Sequence, residues 1–289
     1  MTQGIRIGNQ TAISCADPME PFAFALRHGF EAFEWFADKK WRPDGTTAGW
    51  DEPDLDETTR FWIRDSGRAN QVSFTVHAPW QANPLHPEGV PLLIRSLDFA
   101  RDIGATLVNL HLYMDEGAAG YVRALEPVLR HAAELRLQVS IENTPHTTPE
   151  DFKQTFACLR DLDTLAPGSV GMCLDIGHAN LCQATHNQFL RYLDALDPTV
   201  PIIHLHVHEN FGDADSHLTL FTGPAGVDDS GVRAFLERLR QRHYQGAMIL
   251  EQWPHPPELL VEAANRLREM LDTEQSSSSV SHPVGSVQA

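Results

Sequence analysis

The sequence predicts a single-domain α/β protein of the (β/α)₈ barrel class, and three observations favour that fold. Short β-rich runs alternate with longer stretches of helical periodicity along almost the whole chain. The 289 residues, 42% of them hydrophobic, are enough to fill the core of one closed barrel. The segment NQTAIS after the first run contains no glycine-rich phosphate loop, which disfavours the alternative of a doubly wound open sheet.

The predicted strands are short apolar runs, and several of them end in a polar residue. Such runs are typical of parallel strands that are covered on both faces. They are Ile5–Gln10, Ala32–Phe36, Ser73–His77, Leu107–His111, Gln138–Glu142, Gly171–Asp175, Ile202–His208 and Ala247–Glu251.

The predicted helices lie between these runs. Thr148 and Pro149 followed by two acidic residues indicate a helix start, with an N-cap hydroxyl and proline at the first helical position. The helices are expected near Pro18–His28, Leu55–Asn70, Pro91–Ile103, Tyr121–Leu135, Pro149–Leu165, Gln188–Leu196, Gly231–Arg242 and Pro257–Leu271. Residues 273–289 are serine-rich without apolar periodicity, so we expect a barrel over residues 1–272 and a disordered tail after it.

Composition narrows the class of protein. No apolar run approaches the roughly 18 residues of a membrane span, and the first residues do not resemble a signal peptide, so we expect a soluble cytoplasmic protein without a membrane partner. The formal net charge of −17 disfavours a nucleic-acid partner. The four cysteines show no CxxC pairing, and we expect reduced thiols packed as small hydrophobic side chains.

Polar residues end six consecutive predicted strands, the third to the eighth. In a (β/α)₈ barrel these strand ends meet at one mouth, where active sites lie. Each residue alone is compatible with a structural role, but so many carboxylates and imidazoles in one mouth need a cation to neutralise them. Mixed imidazole and carboxylate ligands favour zinc, manganese, iron or cobalt. The residues are His77, His111, Glu142, Asp175 with His178, the alternating His204, His206 and His208, and Glu251, with Asp215 and His217 in the loop after strand seven.

The order of these motifs resembles the xylose-isomerase-like barrel superfamily of sugar isomerases, sugar epimerases and endonucleases that cut DNA at abasic sites. The similar motifs are HAP, IENT, LDIGHAN, HLHVHEN followed by DSH, and ILE. Each is weak alone, but their order and spacing together are specific, and the resemblance covers about residues 29–271.

The resemblance implies roles for individual residues. The four ligands of the single-metal sugar enzymes match Glu142, Asp175, His206 and Glu251, and the two glutamates would also act as the catalytic acid and base. A divalent metal such as Mn²⁺, Zn²⁺ or Co²⁺ would occupy this site, as one ion or as up to three. Additional ligands of the endonuclease type match His77, His111, His178, Asp215 and His217.

The resemblance and the charge together favour a metal-dependent isomerase or epimerase of carbohydrate metabolism. It would act on a sugar or sugar-like polyol by proton transfer between two glutamates, through an enediolate that the metal stabilises. We expect His178, His77, Trp80 and Trp253 to contact the substrate, and Trp35 and Tyr113 are further stacking candidates. For each tryptophan, packing at the rim is an equally good interpretation.

Glu34 lies where sugar-type relatives often place a glutamate, although a solvated or helix-facing carboxylate fits equally well. The loop LTLFTGPAG departs from the leucine-glycine-glutamate-glycine pattern of many relatives, which puts the roles of Asp215 and His217 in doubt.

The alternative is a zinc-dependent endonuclease of the abasic-site type, for which the local basic patch Lys39, Lys40 and Arg42 is the supporting feature. It predicts basic and aromatic side chains in the rim loops. A non-catalytic sugar- or metal-binding module ranks last, because both glutamates are present. A homo-oligomer is compatible with the sequence.

Overall fold

The protein is a closed barrel of eight parallel strands surrounded by helices. The computed structural model describes residues 4–11, 15, 17–162 and 165–278. Strand one pairs with strands two and eight, which closes the sheet, so the predicted barrel is confirmed and the open sheet was wrong. The barrel strands, numbered one to eight in chain order, are Ile5–Gln10, Ala32–Phe36, Ser73–His77, Leu107–His111, Gln138–Glu142, Val170–Asp175, Ile202–Val207 and Gly246–Leu250.

The register of neighbouring strands places residues of the predicted site next to one another at the mouth of the barrel. His111 at the end of strand four is the register partner of Glu142 at the end of strand five. Asp175 of strand six is the partner of His206 of strand seven. Because the strands are parallel, their carboxyl ends lie at the same mouth.

The described helices agree with the predicted ones within a few residues at most ends. They are α1 Met19–His28, α2 Glu57–Asn70, α3 Gly89–Ile103, α4 Gly117–Leu135, α5 Pro149–Arg160, α6 Ile176–Leu181, α7 Phe189–Ala195, α8 Pro224–Val227, α9 Ser230–Gln241 and α10 Glu258–Ser278. At the start of α5, Thr148 and Asp151 form the reciprocal hydrogen bonds of a capping box. The short helices α6 and α8 and the two-stranded ribbon Lys40–Trp41 with Thr47–Ala48 were not predicted.

Helix α10 continues past Thr273, where the disordered tail was expected to begin. Extending a formed helix by a few residues is far easier than starting one, so a helix can run into serine-rich sequence. The Thr273 hydroxyl donates to the Glu269 carbonyl at 2.7 Å within this last stretch. The remaining part of the expected tail, residues 279–289, lies outside the described residues.

The apolar core lies between the strands and the helices, and it explains the position of Trp35. Neighbouring residues of a strand point to opposite faces, so Glu34 points into the barrel while Trp35 points outward to the helices. Trp35 is completely buried, and the centre of its ring lies 5.2 Å from that of Phe22 and 6.1 Å from that of Phe74. The expectation that Trp35 stacks on a substrate at the mouth was therefore wrong.

All four cysteines are free thiols, as predicted, and Cys15, Cys173 and Cys182 are buried.

Among the described helices, none combines the length and the apolar character that crossing a membrane requires.

Candidate metal centre

The predicted ligands converge on one buried cluster at the mouth of the barrel. Glu142, Asp175 and His206 are completely buried, and Glu251 is 5% exposed. The five additional candidates also reach the cluster: His77, His111, His178, Asp215 and His217.

The centre of the cluster is the Nδ1 atom of His206. It lies 3.3 Å from Glu142 Oε1 and 3.4 Å from Glu251 Oε2. Asp175 Oδ2 is 3.9 Å away. A metal with bonds of about 2.0–2.2 Å to nitrogen and oxygen separates its ligand atoms by about 3–4 Å. Ligand atoms of Glu142, His206 and Glu251, together with one of His77, all lie within 4.8 Å of one another, and Asp175 forms such groups with Glu142 and His178 and with His208 and Glu251. Glu142, His206 and Glu251 therefore have the spacing of a coordination shell, with Asp175 beside it.

Three atoms of this shell have no hydrogen-bond partner although they are buried: Glu142 Oε1, His206 Nδ1 and Glu251 Oε2. Buried polar atoms are normally satisfied, and two carboxylates facing one another across an imidazole repel unless a cation lies between them. The donor set fits a divalent ion that accepts imidazole and carboxylate ligands.

Glu34 fixes the other nitrogen of the same ring. Its carboxylate is fully buried one layer below the mouth and accepts from His206 Nε2 at 2.8 Å. It also accepts from His204 Nε2 at 2.7 Å and from the Thr75 hydroxyl at 2.8 Å. Glu34 is therefore neither solvated nor helix-facing, because strand two turns it into the barrel.

On one flank of the centre, His77 and His111 face the second oxygen of Glu142. His77 Nε2 lies 3.1 Å and His111 Nε2 3.5 Å from Glu142 Oε2, which also accepts a hydrogen bond from the Asn109 amide. The other His77 nitrogen, Nδ1, donates to the Ala78 carbonyl at 2.6 Å, which leaves Nε2 as the ligand atom. Burial lowers the pKa of His111 to about 4, which keeps its imidazole neutral.

On the opposite flank, Asp215 brings two histidines together. Its Oδ2 lies 3.2 Å from His178 Nε2 and 3.2 Å from His217 Nε2. The loop after strand seven returns to the mouth because Glu209 and Leu218 pair through backbone hydrogen bonds of 2.9 Å. Despite its departure from the usual loop pattern, this loop places Asp215 and His217 beside the centre.

His208 is a member of this flank that the sequence prediction did not choose. Its Nε2 lies 3.1 Å from Asp175 Oδ2 and 3.9 Å from Asp215 Oδ1, and its ring stacks on His217 with centroids 3.9 Å apart. A Cβ on Gly177 would lie 2.0 Å from the His208 ring, so glycine leaves the room for that ring. The signal was present in the sequence, since His204, His206 and His208 alternate on one face of the strand.

The acid-base properties of the two glutamates differ. Burial raises the pKa of Glu142, but His206 and His111 beside it, together with the nearby His178, hold this pKa well below its usual value. Burial also raises the pKa of Glu251, and there the repulsion of Asp175 and Glu142 adds to burial, so its pKa is higher than usual despite His206 and His217. The protein environment thus pushes the pKa values of the two carboxyls apart.

A cavity of about 590 Å³ opens above the centre. Its floor includes His77, His111, His178, Asp215, His217 and Glu251, and its rim includes Gln10, Phe36, Asp38, Lys40, Trp80 and Trp253. Trp80 is 49% exposed. Trp253 is buried and packs edge-on against Phe24, with the two ring centres 5.3 Å apart. Both predicted tryptophans therefore line the cavity. Tyr113, which donates to the Trp80 carbonyl, supports the loop that carries Trp80.

Comparison with known proteins agrees with this geometry. Residues 22–270 match the family described as xylose isomerase-like TIM barrel. The chain belongs to that family. It is 29% identical over 163 residues to the uncharacterized protein y4fM of Sinorhizobium fredii, which covers 52% of this chain and 49% of that protein. The chain spans about half of that relative's length and less than two thirds of the other curated relatives that it matches.

Among solved structures, a D-tagatose 3-epimerase-like protein is similar with a TM-score of 0.73 and 20% identity, covering 94% of this chain and 99% of that one. Endonuclease IV from Thermus thermophilus is similar with a TM-score of 0.67 and 22% identity, covering 93% and 99%. At such identities the likeness concerns the fold. The fold is thus shared with proteins named for sugar chemistry and for DNA cleavage.

Proposed function

We propose that this protein is a metal-dependent isomerase or epimerase that acts on a sugar or sugar-like polyol. The observation that carries the proposal is the placement of Glu142 and Glu251 on either side of His206 Nδ1, at 3.3 and 3.4 Å. Two carboxyl groups with different pKa values at one centre are the groups that a two-base proton transfer needs.

In the proposed reaction, one glutamate removes the proton from a carbon next to a carbonyl group, and the other returns a proton to the substrate. Glu142, at the end of strand five, and Glu251, directly after strand eight, suit the roles of base and acid. A divalent cation held by Glu142, Asp175, His206 and Glu251 would polarise the carbonyl as a Lewis acid. His178 and His77 line the cavity beside these groups and would orient substrate hydroxyls.

The size and charge of the cavity support a small neutral substrate. Its volume of about 590 Å³ lies within the ~300–1,000 Å³ usual for small-molecule sites. Among the lysine and arginine side chains that the structure describes, Lys40 lines the cavity, and its Nζ is 3.1 Å from Asp38 Oδ2, which balances its charge. Trp80 offers an exposed ring face on which the C–H groups of a sugar can stack.

A second candidate, a zinc-dependent endonuclease that hydrolyses DNA phosphodiesters at abasic sites, is favoured by a specific observation. The additional residues His77, His111, His178, Asp215 and His217 all reach the centre, which gives room for a second and third ion. In addition, Lys40 Nζ lies 5.6 Å from the centre of the Trp80 ring, so the rim carries one basic and one aromatic side chain together. Several metal ions can activate water for attack on a phosphodiester.

The test is an exchange experiment in heavy water. Metal-loaded protein is incubated with a panel of ketoses, aldoses and cyclic polyols in D₂O, and NMR follows the loss of individual carbon-bound protons. In parallel, an abasic-site duplex is examined for nicking on a gel, with Glu142→Gln protein as the control in both assays.

We expect deuterium to enter one sugar of the panel at a carbon next to its carbonyl, with none in the Glu142→Gln control. Nicking of the duplex without exchange in any sugar would contradict the proposal and favour the endonuclease. No exchange and no nicking at any metal loading would contradict both.

A further inference from the structure

We propose that Glu34 is a positioning residue that holds His206 in the tautomer and orientation required of a metal ligand. Nothing in the sequence motifs assigns this role, since Glu34 lies on strand two, outside the six strands that supply ligands. The inference rests on the metal centre of the proposed function and adds a residue that never touches the ion.

The direct contact is the hydrogen bond from His206 Nε2 to Glu34 Oε1, 2.8 Å long. A carboxylate oxygen can only accept, so in the neutral imidazole the ring proton lies on Nε2 and the lone pair on Nδ1. That Nδ1 is the buried atom without a partner, 3.3 Å from Glu142 Oε1 and 3.4 Å from Glu251 Oε2. Glu34 therefore contacts Nε2 of the His206 ring, and the metal centre lies at Nδ1 of the same ring.

The second oxygen of the Glu34 carboxylate, Oε2, also accepts hydrogen bonds. Its Oε2 accepts from the Thr75 hydroxyl at 2.8 Å and from His204 Nε2 at 2.7 Å. Three donors from strands three and seven thus converge on a carboxylate that is fully buried. A buried carboxylate without these donors would be strongly unfavourable, so this site is built for a negative charge beneath the histidine.

The expected consequence is a stronger metal ligand. A carboxylate behind a ligating imidazole fixes its orientation and raises its basicity, and loss of such a partner usually lowers metal affinity about 10- to 100-fold. A purely structural role of Glu34 predicts a loss of stability without a specific effect on the ion that His206 binds.

The first experiment compares Co²⁺ binding to the demetallated wild type and three variants by visible absorption and competition with a chromophoric chelator. His206→Gln identifies the absorption band that belongs to the ion at His206. Glu34→Gln keeps the size of the side chain but removes its charge, and Thr75→Val is the matched control, because it removes another hydrogen bond from the same layer.

We expect Glu34→Gln to weaken the binding of that ion about 10- to 100-fold and to shift its absorption band. Thr75→Val keeps the charge of Glu34 and its bond to His206, so its effect on both should be smaller. Wild-type affinity and spectrum in folded Glu34→Gln protein would overturn the inference but leave the metal centre intact. If wild-type protein bound no Co²⁺ at the His206 site, the proposed function and this inference would both fail.

A measurement on the wild type applies even if Glu34→Gln does not fold. In protein labelled with ¹⁵N-histidine and loaded with ¹¹³Cd²⁺, we expect His206 to couple to cadmium through Nδ1 and to keep its proton on Nε2. Coupling through Nε2 would contradict the inference, because that nitrogen would then be unable to donate to Glu34.

Discussion

The floor and the rim of the cavity are built from different chemistry. The floor is formed by histidines and carboxylates at the ends of strands three to eight, and its central atoms Glu142 Oε1, His206 Nδ1 and Glu251 Oε2 have no hydrogen-bond partner. The rim, in contrast, carries an exposed tryptophan and a lysine that is already paired with Asp38. The difference supports the proposal of a cation at the floor and a small neutral ligand at the rim.

Removing a floor carboxylate should have the largest effect. We expect Glu142→Gln and Glu251→Gln to lower turnover at least about 10²- to 10⁴-fold, because each removes a group that transfers a proton. Circular dichroism and thermal unfolding check that the fold remains. Wild-type rates in both folded variants would contradict the assignment of acid and base.

Removing the metal should have the next largest effect, and this effect should depend on the residues of the floor. We expect chelation to abolish activity and to lower the midpoint of thermal unfolding, since an ion at 100 to 1,000 times its Kd stabilises the fold by about 2.7–4.1 kcal/mol. Adding Mn²⁺, Zn²⁺ or Co²⁺ should restore both. The same chelator should shift the unfolding midpoint of His206→Gln protein less, and an equal shift would mean that the ion binds elsewhere.

The rim tryptophan should have a smaller effect, on substrate binding. We expect Trp80→Ala to raise KM about 2- to 10-fold with little change in kcat, because stacking on an aromatic ring contributes about 0.5–1.5 kcal/mol. Steady-state kinetics measure this change. Trp62→Ala is the matched control, since Trp62 is equally exposed but lies on α2 outside the cavity; similar kinetics in both variants would remove Trp80 from the site.

The rim lysine should have the smallest effect on a sugar substrate. Lys40→Gln removes an ion pair between a half-exposed lysine and the buried Asp38, and it changes none of the groups proposed to transfer protons or hold the metal, so kcat and KM should change little. If the substrate were DNA, the same variant should weaken binding and reduce its salt dependence by about one ion. Binding of an abasic duplex at several salt concentrations therefore shows which substrate the rim serves.

Most of the floor could be predicted from the sequence, since each ligand follows an apolar run and parallel strands end at one mouth. Glu142, Asp175 and Glu251 are recognisable because carboxylates at the ends of buried strands need a partner. His208 could be placed on the correct face by its alternation with His206. Its contact with Asp175 could not be predicted, because it depends on α6, a short helix with little periodicity.

Glu34 shows why the layer beneath the floor was harder to predict. Strand two, AFEWF, is apolar on both faces, so alternation alone does not tell whether Glu34 or Trp35 points into the barrel. The direction of Glu34 is set by its hydrogen-bond partners His204 and His206, which come from a strand about 170 positions later in the chain. Rim residues such as Trp80 and Lys40 depend on loop conformation in the same way.

The most direct test of the metal centre is a crystal structure of the purified protein with anomalous diffraction measured at the absorption edges of zinc, manganese and cobalt. We expect an anomalous peak at bonding distance, about 2.0–2.2 Å, from Glu142, Asp175, His206 Nδ1 and Glu251. Crystals grown with these metals that show no peak at this position, with the four side chains paired only among themselves, would contradict the central claim.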